Sequence, residues 1–143
     1  MDASYELILG AINKLRATTA VTAMVGAKIY DRVPEKTDGT PNVTFPYISM
    51  GPSTSIPDDF DCMKGEEITL QFDVWSSGAG EAFGSVGCRK ITSAIKRALH
   101  DVDLSLPTNA LVTFQHEITR ILRDPNPAIT HGVIQFTATV ETP

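Results

Sequence analysis

Cysteine, tryptophan and long apolar runs are scarce in this chain, and its cations are outnumbered. Two cysteines, Cys62 and Cys88, stand far apart. That separation excludes a zinc knuckle or a close redox pair, and two are too few for a disulfide framework, so both read as free thiols. Lysine and arginine total 12 against 17 acids, a net charge of −5, and the pI is near 5.1. Duplex binding is driven by cations that displace counterions from phosphates. An acidic chain with no basic stripe in its pattern is not expected to hold DNA. No apolar stretch approaches the roughly 18 residues of a membrane span. Met1-Asp2-Ala3-Ser4-Tyr5-Glu6 carries acids where a signal peptide has a basic region, so a cytosolic chain is expected at synthesis.

Catalytic constellations are missing as well. No Gly-x-Ser-x-Gly elbow and no His-x-x-x-His pair occurs, and Cys62, Cys88, His100, His116 and His131 fall in different segments. His116 and Glu117 alternate across a strand, so they face apart. His131, beside Gly132, reads as a turn residue. Asp58-Asp59-Phe60-Asp61 lacks the alternating ligands, glycine and terminal glutamate of a calcium loop. Gly78-Ala79-Gly80 lacks the Lys-Ser/Thr of a phosphate loop. No catalytic, cofactor-binding or metal-ligating residue is expected, and the chain reads as a non-enzyme.

What is present is pattern. From Glu66 to Ser76 apolar and polar residues alternate, with Ile68, Leu70, Phe72 and Val74 on one face. This is the expected central strand. Its other face carries Glu67, Thr69, Gln71, Asp73 and Trp75, a wet face ending in a large ring. Trp75 either folds back under a loop or sits in a subunit contact, where tryptophan is enriched.

Ala3 to Ala17 has helical spacing in Leu7, Ile8, Ala11, Ile12 and Leu15. Ala20 to Val25 reads as a helical turn closed at Gly26, and Ala27 to Asp31 as a lead-out containing a short strand. Arg32 to Thr44, with Pro34, Asp38, Gly39 and Pro41, is a surface loop. Phe45 to Gly51 is a strand whose Pro46 places it at a start or an edge. Pro52 to Lys64 is a long loop carrying the acidic cluster, and loops of that length are usually functional or mobile.

A second main helix is expected from Glu81, with the stripe Phe83, Gly87, Ile91, Ala94, Ile95, Ala98 and Leu99. Leu111 to Arg123 reads as a strand with Val112, Phe114, Ile118 and Leu122 on one face. Gly132 to Thr142 pairs with it, Ile134, Phe136, Ala138 and Val140 inward. Residues 1–143 are expected to form one α+β domain, an antiparallel sheet of about four strands with two main helices packed on one face.

Several segments are similar to the tail-completion (tail-terminator) family of long-tailed bacteriophages and of phage-derived gene transfer agents. They are Met24-Val25-Gly26 with Ile29-Tyr30-Asp31 and Pro34, Phe45-Pro46-Tyr47-Ile48 with Gly51, Phe72-Asp73-Val74-Trp75-Ser76, Ala94-Ile95 with Ala98-Leu99-His100, and Gly132-Val133-Ile134-Gln135-Phe136. The resemblance implies a protomer of a homohexameric ring at the end of the tail tube, one that halts tail growth and meets the head-side stopper. DNA would pass through without specific binding. It implies a place in the virion neck, host cytoplasm during assembly, tail tube protein and stopper as partners, no cofactor and no membrane.

The chain departs from that family's pattern in the length and acidity of Pro52 to Lys64 and in the proline-rich Asp124 to Pro127. Gln71, Asp73 and Trp75 are candidates for one contact surface, and Asp58, Asp59, Phe60 and Asp61 for a docking loop. The alternatives are another neck protein such as the stopper itself, and a small cytosolic enzyme or ligand-binding domain with His100 or His116 at a cleft.

Overall fold

A computed structural model describes residues 1–143. The chain runs α1 (Ala3–Arg16), α2 (Thr19–Val25), β1 (Ile29–Tyr30), β2 (Tyr47–Met50), β3 (Thr54–Pro57), β4 (Lys64–Ser77), α3 (Val86–Leu99), β5 (Ala110–Arg123) and β6 (Ile129–Thr142). The sheet has six strands in the order β1-β2-β4-β6-β5, with β3 also paired to β4. It is mixed, because β1 runs parallel to β2 while the other pairs are antiparallel. The α+β class therefore stands, but the expected four-stranded, all-antiparallel sheet with two helices is corrected to six strands and three helices.

β4 does hold the centre. It pairs with β6 along its whole length, from Lys64 opposite Thr142 to Ser77 opposite Ile129. Its other edge is shared, with β2 beside Phe72 to Trp75 and β3 beside Glu66 to Thr69. Ile68, Leu70, Phe72 and Val74 are fully buried, because their alternation matches the pleat. They join one core cluster of 23 residues with Leu7, Ala11 and Leu15 of α1, Val21 and Val25 of α2, and Ile91, Ile95 and Leu99 of α3.

β3 lies inside the stretch expected to be loop. All four of its residues are exposed, so no burial alternation marks it, and its strand form comes from backbone pairing with β4 alone. Pro57 ends it at the sheet's edge, where a missing N–H costs nothing. The second main helix starts later than expected. Gly80–Ala82 is a separate 3-10 turn, and α3 begins at Val86.

β5 carries two register shifts against β6, between Leu111 and Thr113 and between His116 and Ile118. Each shift exchanges the faces. Phe114, His116 and Thr119 consequently lie opposite the inward residues Ala138, Phe136 and Ile134. Val112 is exposed, and Ile118 and Leu122 fall on the outer face, which corrects the expected grouping of these with Phe114.

α1 is tied to the start of β5 by a buried carboxylate. Glu6 accepts hydrogen bonds from Thr108 N at 3.0 Å, Thr108 Oγ1 at 2.6 Å, Asn109 N at 3.1 Å and Asn109 Nδ2 at 2.9 Å. Burial alone pushes its pKa up, but the bonds from Thr108 and Asn109 outweigh that and hold it below the ordinary glutamate value. α3 approaches β6 at Gly132, where a Cβ would sit 2.6 Å from Cys88 Sγ and 3.0 Å from Thr92 Cγ2. Only a glycine permits this close helix–sheet contact. No helix is long and apolar enough to cross a membrane.

Candidate subunit interface

The outer face of β4 brings Gln71, Asp73 and Trp75 together, as alternation requires. It is less wet than that alternation implies, because Asp73 is only 8% exposed. His131 Nε2 lies 2.8 Å from Asp73 Oδ1, and Gln71 Nε2 donates to the same oxygen at 3.0 Å. Gln135 Nε2 in turn donates to Gln71 Oε1 at 2.9 Å. These polar groups satisfy one another across β4 and β6, and a satisfied network is rigid.

Trp75 lies flat on His131, and its Nε1–H donates to Ser49 Oγ on β2 at 3.2 Å. Tyr47 stacks alongside at 6.4 Å. The ring thus folds back on its own sheet and still leaves part of its surface exposed. His131, expected as a turn residue, is instead the partner of Trp75 in the β4–β6 ladder. Gly51 completes the corner, since a Cβ there would sit 2.6 Å from Gln71 Nε2 and 2.7 Å from Asp73 Oδ2.

The acidic cluster is far away. Asp58, Asp59, Phe60 and Asp61 form the tip of the β3–β4 hairpin, at the opposite end of β4 from Trp75, and ten strand residues span about 30 Å. The tip has a defined shape. Asp58 N donates to Gly65 O at 2.9 Å, and Phe60 and Met63 exchange backbone bonds of 2.8 and 3.1 Å. Asp59 Oδ1 accepts from Gly65 N at 3.3 Å. Ile56, Phe60 and Met63 stay exposed at 57%, 47% and 44%.

A third surface lies on α3. α3 sets Arg89, Lys90, Lys96 and Arg97 on its exposed side, so the expectation of no basic stripe is corrected. Lys90 pairs with Glu81 at 2.8 Å, and Arg89 Nε donates to Ser85 Oγ at 3.1 Å. Depressions flank the helix. One of about 520 Å³ lies toward α2 and includes Ala20, Met24 and Val86, and one of about 360 Å³ lies toward β5 and includes Thr92, Thr119 and Ile121. Neither holds a histidine, cysteine or carboxylate.

The two histidines considered for a cleft are hydrogen-bonded neighbours. His100 Nδ1 accepts from His116 N at 3.0 Å, and His116 Nε2 meets Thr119 Oγ1 at 2.7 Å. Burial first, then nearby Lys96 and His100, hold His116 below the ordinary histidine pKa. No group of three His, Cys, Asp or Glu side chains is placed to hold a metal ion.

The sequence profile of a family described as tail completion protein gp17 matches residues 12–141. Among solved structures, a chain from the virion of a native gene transfer agent particle superposes with a TM-score of 0.83. It is 23% identical, and the alignment covers 96% of this chain and 96% of that one; the likeness is one of fold. No individually curated protein matches the sequence.

Proposed function

This chain belongs to the tail completion protein gp17 family, structural tail proteins rather than enzymes, and we propose that it closes the end of the tail tube as a ring. In this reading, copies assemble head to tail, halt tube growth, and join the tail to the head-side neck in the virion. DNA passes through the centre. The observation that carries the reading is that one protomer presents chemically different surfaces at separated places: the Trp75 face, the acidic hairpin and the basic side of α3. A ring closes only through heterologous contacts, in which two unlike patches of one protomer meet their complements on its neighbours.

The Trp75 face suits contact with another protein surface. The part-exposed Trp75, backed by buried Tyr47, and the exposed Leu122 and Phe45 put apolar area beside satisfied polar groups, the mixture typical of interfaces. A net charge of −5 favours passage of DNA over adhesion to it. Residues 1–143 act as one unit, and neither a cofactor nor a membrane enters the role.

Purified protein incubated with uncapped tails, and separately with tailless heads, tests the proposal in electron micrographs. Density at the head-proximal end of tails and restored joining to heads is the expected result. Binding to tailless heads alone would assign the protein to the stopper position, and a monomer that binds neither would overturn the ring.

A further inference from the structure

We propose that the β3–β4 hairpin of one copy seats in the groove between α2 and α3 of the next. The inference rests on the ring reading and names the contact that closes it. On the groove side, Ala20, Met24 and Val86 form an apolar floor, and Arg89, Lys90 and Arg97 stand over it. Val86 is 45% exposed despite its size. Arg97 and neighbouring Lys96 make no salt bridge or side-chain hydrogen bond within the chain. α3 therefore carries four of the chain's 12 cations on one side, opposed by Glu81 alone. Unopposed like charges on one helix face repel, and a covering acidic surface relieves that repulsion.

The hairpin is the complement in both respects. Asp58, Asp59 and Asp61 meet no cation in their own chain. Phe60 and Met63 are antiparallel bridge partners, so their side chains stand on the same side of the turn, and both remain exposed. The tip lies beyond the last β4–β6 pair, Lys64 with Thr142, clear of its own sheet. It is also preformed, which lowers the ordering cost of docking. Gly65 permits that shape, since a Cβ there would sit 2.8 Å from Asp58 O.

Placed in the groove, Phe60 and Met63 cover Met24 and Val86 while the carboxylates meet the guanidinium groups, an arrangement in which charge sets register and apolar area sets affinity. The contact is heterologous, so it propagates from copy to copy, as a ring requires. It also covers Arg89, Lys90 and Arg97, the cations that line the groove. A nucleic-acid occupant fits less well, because a phosphate backbone has no use for the apolar floor and the chain as a whole is acidic.

Reciprocal charge reversal tests the inference. One variant carries Asp58→Lys with Asp61→Lys, the other Arg89→Glu with Arg97→Glu; none of the four side chains is buried, and circular dichroism checks the fold. Mass by light scattering is measured for free protein, and protein bound to purified tail tubes is counted in micrographs. Each variant alone loses assembly by about tenfold or more. Mixed in equal amounts, the two regain it, because each hairpin then finds a complementary groove. Wild-type rings with reversal variants that assemble normally would overturn this contact and leave the ring standing. Failure of the wild-type chain to assemble in either setting would remove the ring and this contact with it. Assembly intact but DNA retention lost in the Arg89→Glu, Arg97→Glu variant would replace the hairpin with nucleic acid.

Discussion

The indole of Trp75 rests on the imidazole of His131 with ring centroids 3.9 Å apart and planes 10° from parallel. The two residues are directly opposed in the β4–β6 ladder, and each also has a polar tether: Ser49 for the indole, Asp73 for the imidazole. The stack makes Trp75 a structural part of its own sheet and, through its exposed edge, part of the proposed contact face.

Trp75→Ala is therefore expected to lose about 1–2 kcal/mol of monomer stability, from the stacking and the Ser49 bond, and to weaken assembly further. Urea denaturation at dilute monomer concentration and light scattering at high concentration separate the two. Loss of stability with unchanged assembled mass would confine Trp75 to the fold.

Phe72 is fully buried, with its ring edge-on to Phe136 at 6.2 Å. Phe72→Ala should cost about 3–5 kcal/mol by leaving a cavity. Gly132→Ala should cost about 1–3 kcal/mol for the opposite reason, overpacking against Cys88 and Thr92. Denaturant midpoints at unchanged m-value are the check.

Glu6 supplies a pH dependence. Its folded pKa is depressed, so its contribution is present above the unfolded carboxyl pKa and disappears as pH falls through the lower folded value. Glu6→Gln should destabilise the protein at neutral pH, because the amide brings donors to face donors of Thr108 and Asn109. The difference from wild type should shrink on acidification. Urea midpoints taken at steps from neutral to acid pH would show the two curves converging; parallel curves would exclude the role.

The thiols should differ sharply. Cys62 is exposed, whereas Cys88 is buried and its pKa is pushed up to about 11 by burial, with Arg89 acting weakly the other way. An alkylating reagent at neutral pH should add one label to native protein and two after unfolding, read by intact mass. Rapid native labelling of Cys88 would mean that α3 opens from the sheet.

Alternation and helical spacing determined the central strand, its buried face, the core stripe of α1, that of α3 from Ile91 to Leu99, and the partner strand β6, because burial periodicity is written residue by residue; Phe83, expected on the α3 stripe, lies before the helix and is exposed. The quoted segments, from Met24 to Phe136, were enough to point to the tail-completion family. Tertiary structure alone decided the rest. β3 has no buried face to leave a pattern, and its strand form depends on a neighbour's backbone. The faces of β5 depend on two bulges that periodicity cannot register. The pairing of Trp75 with His131 follows from β4–β6 register, a relation between segments distant in sequence. Helical spacing alone sets Arg89, Lys90, Lys96 and Arg97 off the apolar stripe of α3, but that Arg89, Lys90 and Arg97 border a groove with Ala20 and Met24 of α2 depends on how the two helices pack.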